Sequence, residues 1–237
     1  MDLIVAGHCP QLQWIAERLR AAGHRLAPAA GDDDGCALFA PGLRLELSDH
    51  APADWDALAG QHAGALVDVS GPWHPLGARY GFCLYAGGDA AALDTARPLL
   101  DALAPAPGAW LACGPLGSAS FVHQVLDALL FACGLLGRAG WSSPGERPSP
   151  PDWAALFAEQ RLLAAQLLRL AQRYLAHHPA PQAPTDALLA ALATPPGQHP
   201  HYAQLLAQWL QLGLEHDEHL QRVFDALGAG APVAPRQ

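Results

Sequence analysis

His123 and Asp127 form a pair of residues with the right types and spacing for acid–base chemistry. They stand four positions apart in a stretch that is predicted to be helical, so both side chains lie on one face of that helix. An imidazole with an ordinary pKa of about 6.5 is suited to accepting a proton, and a neighbouring carboxylate would orient it. The spacing therefore makes His123 a candidate general base. A charged pair on a helix surface or at an interface is the more common source of such spacing, and this alternative stays open.

Four histidines near the end of the chain have a ligand type that transition metals prefer. His216 and His219 stand three positions apart in a predicted helix, and His199 and His201 lie just upstream. No cysteine and no HExxH pattern accompanies them, and histidines beside acidic residues are common on solvated helices. We therefore expect no metal, and keep these four residues as the candidates for one.

The turn after the first predicted strand decides whether a dinucleotide can bind. A dinucleotide-binding turn has the pattern G-x-G-x-x-G, because its glycines let the backbone approach the pyrophosphate at a helix N-terminus. In residues 7–12 only the first glycine, Gly7, is present. Cys9 and Leu12 carry side chains at the other two glycine positions, and Pro10 removes a backbone donor. We expect no cofactor here, with weak NADP binding at Gly7 as the alternative.

The composition of the chain excludes several function classes. It has 237 residues and a formal net charge of -9, and its 13 basic residues are all arginines, which excludes a lysine base or a Schiff base. Without a basic stripe, nucleic acid is not an expected partner. Five cysteines without a CxxC pair favour reduced thiols and a cytoplasmic location. Since the longest strongly apolar run is too short to cross a bilayer, we expect no membrane partner.

Hydrophobic periodicity divides the chain into an α/β part and a helical part. The first part opens with a βαβ unit, in which a helix at residues 10–22 follows the first strand, and it ends with a strand at 110–113. The helices predicted after it cover residues 121–136, 152–176, 185–193 and 202–227. These patterns predict a shortened Rossmann-like α/β domain at 1–115, an all-α domain at 116–228 and a frayed tail at 229–237.

Residues 65–136 carry a resemblance to a known family. Residues 67–89 are similar to the S-G-G…G-A…Y-G…L-M-x-G-G-D segment of 6-phosphogluconate dehydrogenases, and residues 97–105 to the RPLLxALAP helix of that family. Residues 114–123 resemble the start of its catalytic helix. Residues 214–220 faintly resemble the closing stretch of the related 3-hydroxyacid dehydrogenases. The chain thus resembles a truncated and degenerate member of this superfamily.

The resemblance implies a Rossmann-like domain followed by a helical domain of the 6-phosphogluconate dehydrogenase type. The family's substrate-binding Ser-Gly-Gly falls on Ser70 and Gly71, with Pro72 in third place. Its catalytic lysine falls on His123, and its glutamate acid falls on Leu130. The resemblance therefore implies that the fold is kept while the catalytic groups are lost.

Two classes of function follow from these patterns. The first is a catalytically inactive 6-phosphogluconate dehydrogenase-like protein, a pseudoenzyme that acts by binding, as a dimeric scaffold or as a subunit or chaperone of a partner protein. A wide apolar face on the predicted helix at 152–176 favours a homodimer or a heteromeric partner. The alternative is an NAD(P)-dependent oxidoreductase of altered chemistry on a small acid, with His123 in place of the lysine.

Overall fold

A computed structural model describes residues 1–29, 35–138, 153–179 and 201–215, with the single positions 181, 186 and 190. In these residues seven strands form one sheet in the order β2-β1-β3-β4-β5-β6-β7. The strands are β1 (Asp2–Ala6), β2 (Arg25–Pro28), β3 (Ala37–Ala40), β4 (Leu43–Glu46), β5 (Ala65–Ser70), β6 (Leu84–Gly87) and β7 (Trp110–Gly114). The helices are α1 (Gln11–Ala21), α2 (Pro52–Gln61), α3 (Gly77–Tyr80), α4 (Ala90–Leu103), α5 (Ser118–Arg138), α6 (Trp153–His177) and α7 (Tyr202–Glu215). The predicted order, α/β first and helices second, is confirmed.

The sheet is mixed. β1 is parallel to β2, which confirms the opening βαβ unit, and β4 is parallel to β5. β3 runs antiparallel to both β1 and β4, and joins β4 through a hairpin in which Gly42 has a φ of +70°. β6 and β7 run opposite to β5. The carboxyl ends of β1, β2, β4 and β5 therefore meet at one edge, which is where open α/β sheets bind ligands.

Two apolar clusters lie on opposite faces of the sheet. α1 and α4 pack on the first face, and α5, α6 and α7 form the second cluster together with Cys113 of β7. α1 contributes a buried stripe with the spacing expected of an amphipathic helix. The stripe consists of Leu12, Ile15, Ala16 and Leu19.

β5 shows how the strand period places polar residues between these layers. Val67 and Val69 point into the first cluster. Because successive side chains alternate, Asp68 and Ser70 lie on the other face, beneath α5. All four residues are buried, so β5 is covered on both sides.

The predicted domain boundary near residue 115 falls between the end of β7 and the start of α5. α5 contacts β5, β6 and β7, and α7 contacts β7, so the helical part rests on the sheet. The division into 1–115 and 116–228 stays a prediction. Of the predicted helix at 185–193 only positions 186 and 190 are described, and the tail at 229–237 lies outside the described residues. None of the described helices is long and apolar enough to cross a membrane.

Candidate functional site

Ser70 and His123 meet beneath the helical part of the molecule. Ser70 ends β5, and His123 lies in the second turn of α5, which crosses the same face of the sheet. The Ser70 hydroxyl and Nδ1 of His123 are 2.8 Å apart and share a hydrogen bond. Tyr85, the residue opposite Ser70 on β6, stacks on the imidazole with ring centroids 5.9 Å apart. The fold thus joins two candidate residues that are 53 positions apart in the chain.

The environment of His123 favours the neutral form of its imidazole. Burial lowers the pKa of His123 below its ordinary value, while the charges of Asp127 and Asp49 act in the opposite direction with a smaller effect. A neutral imidazole is the form that accepts a proton. Asp127 acts on His123 through its charge, and the hydrogen bond at Nδ1 is the one shared with Ser70. In this structure Ser70, rather than Asp127, holds the ring in place.

The two residues matched to the substrate-binding Ser-Gly-Gly are enclosed by the chain itself. Ser70 is 5% exposed. A Cβ on Gly71 would collide with the backbone carbonyl of Cys83, so the turn after β5 needs a glycine for its own packing. This arrangement positions the His123 imidazole but presents little of Ser70 to a substrate.

Asp68 is a buried carboxyl group that the sequence analysis missed. Its Oδ2 accepts hydrogen bonds from the backbone N–H groups of Ala119 at 2.9 Å and Ser120 at 3.4 Å. Because these donors belong to the first turn of α5, a strand residue caps the helix that carries His123. Burial raises the pKa of Asp68 to about 7, although the hydrogen bonds act in the opposite direction. An acidic residue between two valines of a strand was the signal available in the sequence.

The turn after β1 does not fit a dinucleotide pyrophosphate. Cys9 occupies the place of the second glycine in the G-x-G-x-x-G pattern and forms a disulfide with Cys36, their Cα atoms 6.1 Å apart. A Cβ on Gly7 would collide with the carbonyl of Gly35, so the segment before β3 lies directly against the turn. Pro10 stands before α1 without an amide hydrogen. The glycine at position 7 therefore allows the turn after β1 to pack against the segment before β3.

The expectation of reduced thiols throughout is wrong for Cys9 and Cys36, which are paired. Cys83 and Cys113 are free. The pairing has no local signal because 27 positions separate the two residues. It arises from the antiparallel register of β1 and β3, which places the residues after β1 beside those before β3. The cytoplasmic location stays a prediction.

Only one of the four candidate metal ligands lies among the described residues. His201 lies directly before α7, whereas His199, His216 and His219 fall outside the described residues. Within the described ranges, no group of three or more His, Cys, Asp or Glu side chains is placed to hold a metal ion. The expectation that these four candidates hold no metal stays untested.

No protein-family model matches this chain, and no curated protein matches it significantly. Among solved structures, the 3-hydroxyisobutyrate dehydrogenase of Mycobacterium tuberculosis with L-serine is similar at 16% identity and a TM-score of 0.43, covering 88% of this chain and 99% of that one. Both it and the next similar structure belong to the superfamily of the 6-phosphogluconate and 3-hydroxyacid dehydrogenases. The second is the imine reductase from Myxococcus stipitatus, V8 variant, in complex with NAD+, at 16% identity and a TM-score of 0.36, covering 78% of this chain and 64% of that one. At these values neither likeness carries an activity, a substrate or a cofactor over to this chain.

Proposed function

We propose that this chain is a dehydrogenase-like protein that acts by binding and has lost dinucleotide-dependent catalysis. The observation that carries the proposal is the closed turn after β1, where Cys9 is cross-linked to Cys36 and Gly35 lies against Gly7. A nicotinamide cofactor without a pyrophosphate anchor has no fixed position relative to a substrate, so hydride transfer is lost. Leu130, at the place of the family's acid, cannot transfer a proton and is 70% exposed.

Calorimetric titration of the purified chain with NADH and with NADPH tests this proposal. We expect no saturable heat of binding, and no turnover of hydroxy acids or sugar-acid phosphates with either nucleotide. Micromolar binding of either one, or turnover at an ordinary enzymatic rate, overturns the proposal. The Cys9→Ser/Cys36→Ser double variant is the companion measurement, because binding found only in that variant attributes the closure to the cross-link.

The proposed binding partner is a second copy of this chain. Leu130 of α5 and Leu162 of α6 are 70% and 71% exposed, although these two helices pack against each other. Leu162 lies near the middle of α6, between Ala158 and Ala165, which line a shallow depression with it. Two copies of α6 crossing about a two-fold axis therefore bring Leu162 against its counterpart. A heteromeric partner is the other outcome of a mass measurement.

A second candidate function is favoured by the hydrogen bond between Ser70 and His123. It is an NAD(P)-dependent oxidoreductase of altered chemistry on a small acid, in which the imidazole would accept the proton of the substrate hydroxyl and the nicotinamide would accept the hydride from its carbon. His123→Ala should then abolish an activity without unfolding the protein, while His74→Ala, which removes an exposed histidine, should preserve it. An unchanged rate in the His123→Ala variant removes this candidate.

A further inference from the structure

A cavity of about 90 Å³ lies between α2, α5 and α6. His50 and Trp55 form its first wall, with their rings 4.8 Å apart in an edge-to-face contact. The second wall is the start of α5, where Ser120 and Gln124 line the cavity, whereas neither Ser70 nor His123 is among its lining residues. The cavity is therefore separate from the Ser70–His123 pair.

The third wall is the last part of α6, and its side chains are held by their neighbours. The Tyr174 hydroxyl shares a hydrogen bond of 2.7 Å with Ser118, and its ring stacks on Phe121 with centroids 4.4 Å apart. The His178 ring lies 4.7 Å from Tyr174 and 4.6 Å from His177. His177 and His178, which follow each other at the end of α6, both line this cavity.

The cavity is basic although the protein is acidic. Its described lining includes Arg173 and three histidines but no aspartate or glutamate, in a chain with 22 acidic residues. Two carboxylates approach from outside the lining: Asp56 lies 3.6 Å from His177, and Glu46 lies 3.2 Å from His50. The guanidinium of Arg173 is charged at every physiological pH, so Arg173 is the lining residue with a permanent positive charge.

The imidazoles do not make a metal site, because the described residues contain no group of three ligands that converge on one point. The N-terminus of α5 is not available either, since Asp68 already accepts the N–H groups of Ala119 and Ser120. The polar residues that line the cavity are therefore Arg173, Ser120 and Gln124, together with the three histidines. These groups match a ligand that accepts hydrogen bonds and carries negative charge.

We infer that this cavity binds a small oxyanion, a short carboxylate or inorganic phosphate, with Arg173 as its main contact. The volume is several times what one bound water needs, and it is too small for a nucleotide. A guanidinium binds carboxylate and phosphate oxygens through two parallel hydrogen bonds. Trp55 and Phe121 line the same cavity and add apolar surface beside these bonds. The inference is independent of the proposed loss of dinucleotide binding.

Calorimetric titration of the full chain with lactate and, separately, with inorganic phosphate tests the inference at one pH and constant ionic strength. We expect saturable binding of at least one of them and no binding of lactamide, the uncharged counterpart of lactate. Arg173→Gln should weaken binding about tenfold or more. Arg169→Gln is the matched control: it removes an exposed arginine one turn earlier on α6, outside the cavity, and should bind like the parent protein.

Binding of lactate alone or of phosphate alone supports the inference and identifies the source of the oxyanion. Failure of both anions to bind, or an Arg173→Gln variant that binds as tightly as the parent, overturns it. If circular dichroism shows that Arg173→Gln is unfolded, Gln124→Glu replaces it. That variant puts a negative charge on the α5 wall and should abolish binding, so unchanged affinity there overturns the inference as well.

Discussion

Among single residues, Asp68 has the greatest influence on the centre of the fold. Its carboxyl group joins β5 to the first turn of α5, and its Oδ1 has no hydrogen-bond partner among the described residues. The desolvation of this carboxyl group outweighs the stabilisation of its charge by backbone donors, and its pKa rises to about 7. The ionised form of Asp68 is therefore a cost to the folded state.

The pH dependence of stability follows from this shift. Since the folded pKa of Asp68 lies above its unfolded value of 3.8, the folded chain binds the proton more tightly than the unfolded chain. The stabilising contribution of protonated Asp68 to the free energy of unfolding is fully present below about pH 4 and is lost as the pH rises to about 7. It amounts to a few kcal/mol. Urea unfolding at pH 5 and pH 7.5 measures the difference. We expect the loss of stability between these two pH values to be smaller in Asp68→Asn than in the parent protein. An equal loss in both proteins contradicts the raised pKa of Asp68.

The charge of Asp127 gives a second test at this scale. It raises the pKa of His123 against the larger, opposite effect of burial, so Asp127→Asn should lower that pKa further. A titration of the His123 ring signals by NMR measures both values. Asp94→Asn removes another exposed carboxylate, on α4, and serves as the control that leaves the pKa of His123 unchanged. A His123 pKa that does not move in Asp127→Asn shows that the two side chains are not coupled.

Among the secondary-structure elements, the sequence predicted those features that depend on local hydrophobic periodicity. α1 spans Gln11–Ala21, within the helix predicted at 10–22, because its apolar stripe follows the helical period. The directions of β3 and β4 depend instead on pairing across the sheet. Only the family resemblance marked both Ser70 and His123, since a contact across 53 positions leaves no periodic signal. The cavity depends on three separate helices and was missed for the same reason.

The packing of β6 against β5 and α5 depends on Gly87. A Cβ at this position would collide with Oδ1 of Asp68 and come within 2.7 Å of the Pro115 carbonyl. Gly87→Ala should therefore lower the free energy of unfolding by about 1–3 kcal/mol. Gly60→Ala is the control: a Cβ there meets nothing within 4 Å, and alanine is the better helix former. Urea denaturation should find the Gly60 variant as stable as the parent or more so, and equal losses in both variants contradict this role of Gly87.

The Cys9–Cys36 disulfide ties the turn before α1 to the start of β3. It closes a loop across a sequence separation of 27 residues, so removing it enlarges the unfolded ensemble at a cost of about 3 kcal/mol. Thermal unfolding of the Cys9→Ser/Cys36→Ser variant should show a lower midpoint than the parent under non-reducing conditions. Cys83→Ser removes an exposed free thiol and should leave the midpoint unchanged. A double variant that melts with the parent indicates that the cross-link contributes nothing to stability.

At the scale of the whole molecule, a second copy of the chain would cover apolar side chains that are exposed in one copy. Leu130 and Leu162 lie on two helices that pack together, so a dimer can cover both at once. The opposite half of each helix is already committed to the second apolar cluster through residues such as Val125 and Leu167. In the part of the chain that the structure describes, Leu130 and Leu162 therefore lie outside this cluster.

Leu162→Glu tests the proposed dimer most directly. The new carboxylates of two copies would face each other across the two-fold axis, so desolvation and repulsion both oppose association. Light scattering should give the mass of a dimer for the parent protein and of a monomer for the variant, with the far-ultraviolet spectrum unchanged. Leu76→Glu changes a leucine that is 61% exposed but lies outside α5 and α6, and should leave the dimer intact. A monomeric parent protein overturns self-association and directs the search to a heteromeric partner, whereas a dimer that persists in Leu162→Glu moves the interface away from α6.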